Sequence, residues 1–188
     1  MKVRGLNQAL NNLHELDRQL VPRALAQAVN RVARRVITRC TREVAKETRV
    51  PQKLVRQRVR LRPATPGHAD PTARLVVNRG DLPAISLGTA RLQLSRRKTV
   101  ADRHGSVLKI GRFTFRNAFI QQLANGRWHV LQRTGRSRYP VQVVKIPLSG
   151  PLTESYQKQS QQLLETDMQA ELAAALRQQL RLYLRRRV

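Results

Sequence analysis

The chain predicts an α+β fold: N-terminal helices, a central antiparallel or mixed sheet of about five strands, and a long C-terminal helix. Two observations carry this. Apolar residues recur at three- and four-residue steps through the first sixty positions and again from Pro151 onward. Between those stretches lie short β-prone runs separated by Gly and Pro. Residues 1–60 therefore read as helical, 61–150 as mainly β and 151–188 as helical, within a single domain spanning residues 1–188.

The first helix begins in GLNQALNNLHELDRQL, where Leu6, Leu10, Leu13, Leu16 and Leu20 keep helical spacing. Pro22 suits the first turn of a second helix, where a missing N–H is harmless. In that helix Val29, Val32, Ala33, Val36, Cys40 and Val44 form an apolar stripe. Opposite it stand Arg31, Arg35, Arg39, Arg42, Lys46 and Arg49, a ridge with no acid of its own face to balance it. A ridge so built faces solvent or an anionic partner. Pro51 ends the helix, and QKLVRQRVRL adds a short helix before the chain becomes extended.

The middle third opens on the loop PATPGHADP. TARLVVN, PAISLG and ARLQLS follow as short strands, and RRKTVADRHGS reads as an exposed loop. VLKIGRFTF predicts a hairpin around Gly111. RWHVLQRT and YPVQVVKIPL predict two further strands turned by GRSR. In VNRGDLP, Gly80 between Arg79 and Asp81 reads as a tight turn with positive φ, a hairpin or an interface loop. Asn125-Gly126 is a turn signal, so alternation after it separates Trp128 and Val130 from Arg127, His129, Leu131 and Arg133. The apolar choice for the core is Trp128 with Val130, which leaves Arg127, His129 and Arg133 on an outer face. The preceding NAFIQQL reads as a short helix or extended arm. From Pro151, Tyr156, Leu163, Leu164, Met168, Leu172, Leu176, Leu180 and Tyr183 are spaced for one long helix.

Composition narrows function. Lys and Arg number 37 against 11 Asp and Glu, a net charge of +26, so the chain seeks polyanions or acidic partners. Cys40 is the sole cysteine, and its place on the apolar stripe favours a packed thiol. His14, His68, His104 and His129 share no metal-ligand spacing. No nucleophile elbow, phosphate loop or paired carboxylates occur, so neither an enzyme nor a cofactor is expected. One Trp, three Tyr and three Phe are too few for a base-stacking platform, so any DNA contact goes to phosphates. No run is apolar enough to span a bilayer and the N-terminus lacks a signal-peptide core, which predicts a cytoplasmic protein with no membrane partner.

VNRGDLPAISLGTARL, NAFIQQLANGRWHVLQR and RYPVQVVKIPLSGPLT, together with AVNRVARR and VAKETRVPQKLVRQRVRL, resemble the minor tail protein Z family of lambda-like phages and prophages. The resemblance runs in collinear order from GLNQAL to LRQQLRLYLRRR. It implies a virion protein acting late in tail completion, near the head-proximal end of a long non-contractile tail and made in the host cytoplasm. It further implies an α+β fold assembling as a homo-oligomer, a hexameric ring, beside tail terminator or tail tube proteins. The implied task is to make the tail competent to hold and pass DNA. The family brings no catalytic residues. The alternative from charge alone is a sequence-independent binder of genomic DNA through its phosphates.

Overall fold

The computed structural model describes residues 6–67, 70–93, 107–135, 137 and 139–187. It has the α+β class, with long helices at both ends of the chain and antiparallel strands between them. The loop expected over residues 96–106, His104 and His68 lie outside the described residues, as do parts of the GRSR turn.

Two expectations about the elements are corrected. The N-terminal region is one helix, α1 (Leu6–Thr48), which runs through Pro22. An interior proline forfeits one hydrogen bond and crowds the preceding turn, at about 3 kcal/mol. Here Leu20 and Ala24 on either side are buried, and packing along the helix outweighs that penalty. The central β region is also not one sheet. Among the described residues it forms four small antiparallel sheets, two of two strands and two of three.

The chain divides into two compact units. The first comprises residues 1–43, 57–78 and 154–188. It holds most of α1, the hairpin of β1 (Val59–Arg62) with β2 (Arg74–Val77), and most of α3 (Ser149–Arg187). In this unit α1 and α3 run antiparallel, because Gln27 meets Gln178, Arg31 meets Glu171 and Arg35 meets Asp167. Ala24 and Ala28 of α1 and Ala175 of α3 are fully buried together, with Met168 and Leu172 packed against them. Small residues at that seam let the two backbones approach closely, and Val32, Val36, Cys40 and Leu163 continue the core. Cross-strand pairs Val59–Val77 and Leu61–Leu75 set the hairpin register.

The second unit comprises residues 44–56 and 79–153. Helix α1 stops at Thr48, Arg49 takes the left-handed conformation (φ 57°), and Pro51 leads into the short α2 (Gln52–Arg56). β3 (Leu82–Pro83) pairs with β10 (Lys145–Ile146). β4 (Ala90–Gln93), β5 (Val107–Ile110) and β6 (Phe113–Arg116) form one three-stranded sheet. β7 (Ala118–Gln122), β8 (Trp128–Arg133) and β9 (Val141–Val143) form the other. Within NAFIQQL, Ala118–Gln122 is thus an extended strand, paired residue for residue with Trp128–Gln132 of β8. Val144 joins two ladders, its N–H donating to the Val130 carbonyl and its carbonyl accepting from Ala84. A 3₁₀ turn, Ala84–Leu87, packs on β5 and β8. Leu82, Leu108, Ile110, Val130, Leu148 and Leu152 are the heart of this core.

The turns at Gly111 and Asn125-Gly126 behave as the sequence predicts. Gly111 (φ 57°) turns the β5–β6 hairpin. Gly126 (φ 72°) turns β7 into β8, and Asn125 Oδ1 accepts the Arg127 N–H at 3.0 Å. Arg79, Gly80 and Asp81 are exposed and connect β2 to β3, strands that pair elsewhere, so this stretch is not a hairpin turn.

Candidate functional site

The surface that sequence analysis singles out is the cationic ridge of α1, and its residues meet different fates. Arg31 and Arg35 face α3. Arg35 Nη1 lies 2.9 Å from Asp167 Oδ2, and its Nη2 pairs with Glu171 Oε1. Arg31 Nη1 reaches the other Glu171 oxygen at 3.4 Å, and its Nη2 donates to Gln178 at 2.8 Å. The ridge is therefore not without acids. They arrive from another helix, at the same four-residue spacing as the arginines they meet. That matched spacing, Arg31/Arg35 against Asp167/Glu171, is the sequence signal that could have revealed the pairing.

Electrostatics follow this geometry. A hydrogen bond from Thr166 Oγ1 at 2.8 Å, seconded by Arg35, holds the Asp167 carboxyl below its ordinary 3.8. Arg39 adds a weaker attraction. Arg39 and Arg42 are exposed, and among the described residues neither makes an ion pair. Cys40, on the opposite side of α1, is fully buried and its Sγ lies 3.4 Å from the Ser155 carbonyl. Burial pushes its thiol up from 9.0 to about 11; the Ser155 contact opposes the rise and the Glu43 carboxylate adds to it. Such a thiol packs and does not react.

The remaining ridge residues belong to the sheet-bearing unit. Lys46 lies on the last turn of α1. Arg49 lies past the helix end, so it leaves the ridge. Both line an open groove of about 450 Å³ with Ala45, Val50, Pro51 and Arg112. Arg112, at the tip of the β5–β6 hairpin, has no place in the sequence-derived set, because nothing local ties it to α1. Among the described residues Lys46, Arg49 and Arg112 have no ion-pair partner.

Of the strand faces predicted from alternation, the core placement of Trp128 is corrected. Val130 and Leu131 are both buried, although they point to opposite sides of β8, because the middle strand of its sheet is covered on both sides. Trp128, placed in the core by alternation, is 57% exposed. It sits at the end of β8 beside the Asn125-Gly126 turn, opposite Gln122. His129, placed outward, is half-buried with both ring nitrogens shielded and unbonded among the described residues. Arg127 and Arg133 are exposed, and the Arg133 guanidinium lies 5.3 Å over the Phe119 ring.

Among the described residues no three His, Cys, Asp or Glu side chains gather as a metal site, and no helix is long and apolar enough to cross a membrane.

Comparison with known proteins supplies the context. The family model described as prophage minor tail protein Z matches residues 3–186. The chain belongs to this family. It is 53% identical over 186 residues to the tail completion protein of Escherichia phage N15, covering 99% of this chain and all of that one. It is 45% identical over 194 residues to tail completion protein Z of Escherichia phage lambda, covering 99% of this chain and all of the relative. No solved structure matches it.

Proposed function

We propose that this chain is a structural protein of a long-tailed phage that acts in tail completion. The reading rests on end-to-end similarity to two tail completion proteins. Its finer form is a homo-oligomeric ring at the head-proximal end of the tail, beside tail terminator or tail tube subunits, that makes the tail competent for DNA passage. The exposed cations support that form in a general way. A chain of +26 repels its own copies unless acidic neighbours or nucleic acid neutralise it. The test is in vitro completion. Tails made without this chain are mixed with the purified protein and then with DNA-filled heads, and infectious particles are counted. Completion predicts infectivity only where the protein is added. Equal infectivity without it refutes the proposal, and imaging of finished particles reads the position and copy number.

A second reading, sequence-independent contact with DNA phosphates, is favoured by the exposure of Arg39 and Arg42 on one helix face. It predicts duplex binding by the purified protein with a steep loss of affinity as salt rises.

A further inference from the structure

Three cations from two separate parts of the sequence meet in the groove at the C-terminal end of α1: Lys46, Arg49 and Arg112. Helix end electrostatics alone accounts for Lys46, since cations there complement the helix dipole. It does not account for the other two. Arg49 occupies a left-handed conformation (φ 57°) that favours glycine and disfavours a side chain bearing Cβ. A non-glycine residue held there points to a use for its side chain. Arg112 is delivered to the same groove by Gly111, whose own φ of 57° forms the tip of the β5–β6 hairpin. The groove contains no acid among its lining residues.

We infer that this groove is a docking site for an acidic, partly apolar segment of a neighbouring protein in the tail assembly. Lys46, Arg49 and Arg112 bind its carboxylates, and the exposed Pro51 with the half-buried Ala45 receives an apolar side chain between them. The identity of the partner class rests on the tail-completion reading; the chemistry of the groove does not. Charge complementarity selects an anion. The apolar wall selects protein over nucleic acid, because a phosphate backbone has nothing comparable to cover it. The groove is open, and its volume of about 450 Å³ leaves room for a few side chains laid along it. Arginine contributes a planar fork suited to bidentate carboxylate contact.

The test uses the full chain and a fluorescein-labelled decapeptide of alternating Glu and Leu, read by anisotropy, with a DNA duplex of equal charge alongside. Two variants are measured: Arg49→Gly, in which the left-handed backbone is relaxed, and Arg112→Ala at the exposed hairpin tip. Arg177→Ala, an exposed cation on α3, controls for general attraction to a basic protein. The expected result is roughly tenfold weaker peptide binding in each groove variant, about 1.4 kcal/mol, with unchanged binding in the control. Arg49→Gly is expected to keep or raise the melting temperature, which separates lost binding from lost structure. Unchanged peptide affinity in both groove variants overturns the inference. So does a duplex that binds more tightly than the peptide and is weakened by the same two substitutions. Because this is a binding measurement on isolated protein, its failure leaves the infectivity test of tail completion standing.

Discussion

Asn30 and Ala64 are joined by two hydrogen bonds that imitate a strand pair: the Asn30 amide donates to the Ala64 carbonyl at 2.9 Å and accepts the Ala64 N–H at 2.8 Å. The effect is to fasten the chain leaving β1 to the middle of α1, thirty-four residues earlier in sequence. Ala64 is buried, so both of its backbone groups need partners. Asparagine is a poor helix residue at an interior position, and this clamp explains its presence there.

Asn30→Ala leaves the Ala64 N–H and carbonyl without those partners and is expected to destabilise the protein by about 1–3 kcal/mol in urea unfolding. Asn30→Asp keeps the acceptor but sets a carboxylate against the Ala64 carbonyl, so it does not rescue. A midpoint unchanged in both variants would show the clamp to be dispensable.

Arg35 bridges Asp167 and the buried Glu171. Arg35→Ala leaves Glu171 with Arg31 alone and is expected to lower stability by about 1 kcal/mol at neutral pH, the discount reflecting a half-exposed guanidinium. The pH dependence follows from Asp167, whose carboxyl is held below 3.8 first by Thr166 and then by Arg35. A lowered folded value means the stabilisation is complete above 3.8 and is lost as pH falls through the lower folded value. Acid unfolding of wild type and Arg35→Ala should therefore converge at low pH, and parallel curves would contradict the assignment.

Arg39 and Arg42 are the ridge residues on the helical unit without an ion pair among the described residues. Changing both to Glu is expected to shift stability by no more than roughly 0.5 kcal/mol while reducing the yield of infectious particles. Full infectivity would remove this part of the ridge from the assembly surface.

Cys40 gives an alkaline signature. Its thiol is raised from 9.0 to about 11 by burial, so the folded state favours the protonated form. That contribution is fully present below 9.0 and disappears as pH rises toward about 11. Lysines and tyrosines titrate in the same range, so the measurement is the difference between wild type and Cys40→Ala. Their stability gap should narrow across that window, and thiol reagents should label Cys40 only after unfolding.

What the sequence reveals depends on whether the deciding interaction is local. Pro51 and the turns at Gly111 and Asn125-Gly126 lie where neighbouring residues dictate backbone geometry, and the structure has them there. The two helical periodicities likewise yield the α+β class. The division into small sheets is not local: β3 pairs with β10 from the far end of the β region, and Val144 bridges two ladders. The surroundings of the ridge are not local either, since Asp167 and Glu171 come from α3 and Arg112 from a hairpin. Pro22 stays helical because burial around it outweighs the local preference that would have made it a boundary.

Trp128 tests how far alternation can be trusted. Alternation places it beside Val130, and Val130 is indeed buried at 1% exposure while Trp128 stands at 57%. Both point to the same side of β8, so face does not distinguish them; distance from the sheet's open end does. Val130 lies opposite Ile120 in the covered middle of the strand, whereas Trp128 lies opposite Gln122 next to the turn. A large-to-small change there removes little buried area, so Trp128→Ala is expected to cost less than about 1 kcal/mol, not the roughly 3–5 kcal/mol of a core tryptophan. As the only tryptophan, it reports its own surroundings: emission should be red-shifted in the native protein and move little on unfolding. A blue-shifted native spectrum, or loss of soluble protein in Trp128→Ala, would return it to the core. Quenching on addition of duplex DNA, absent with the acidic peptide, would make this exposed ring part of a nucleic-acid contact and strengthen the phosphate-binding reading over the protein-docking one.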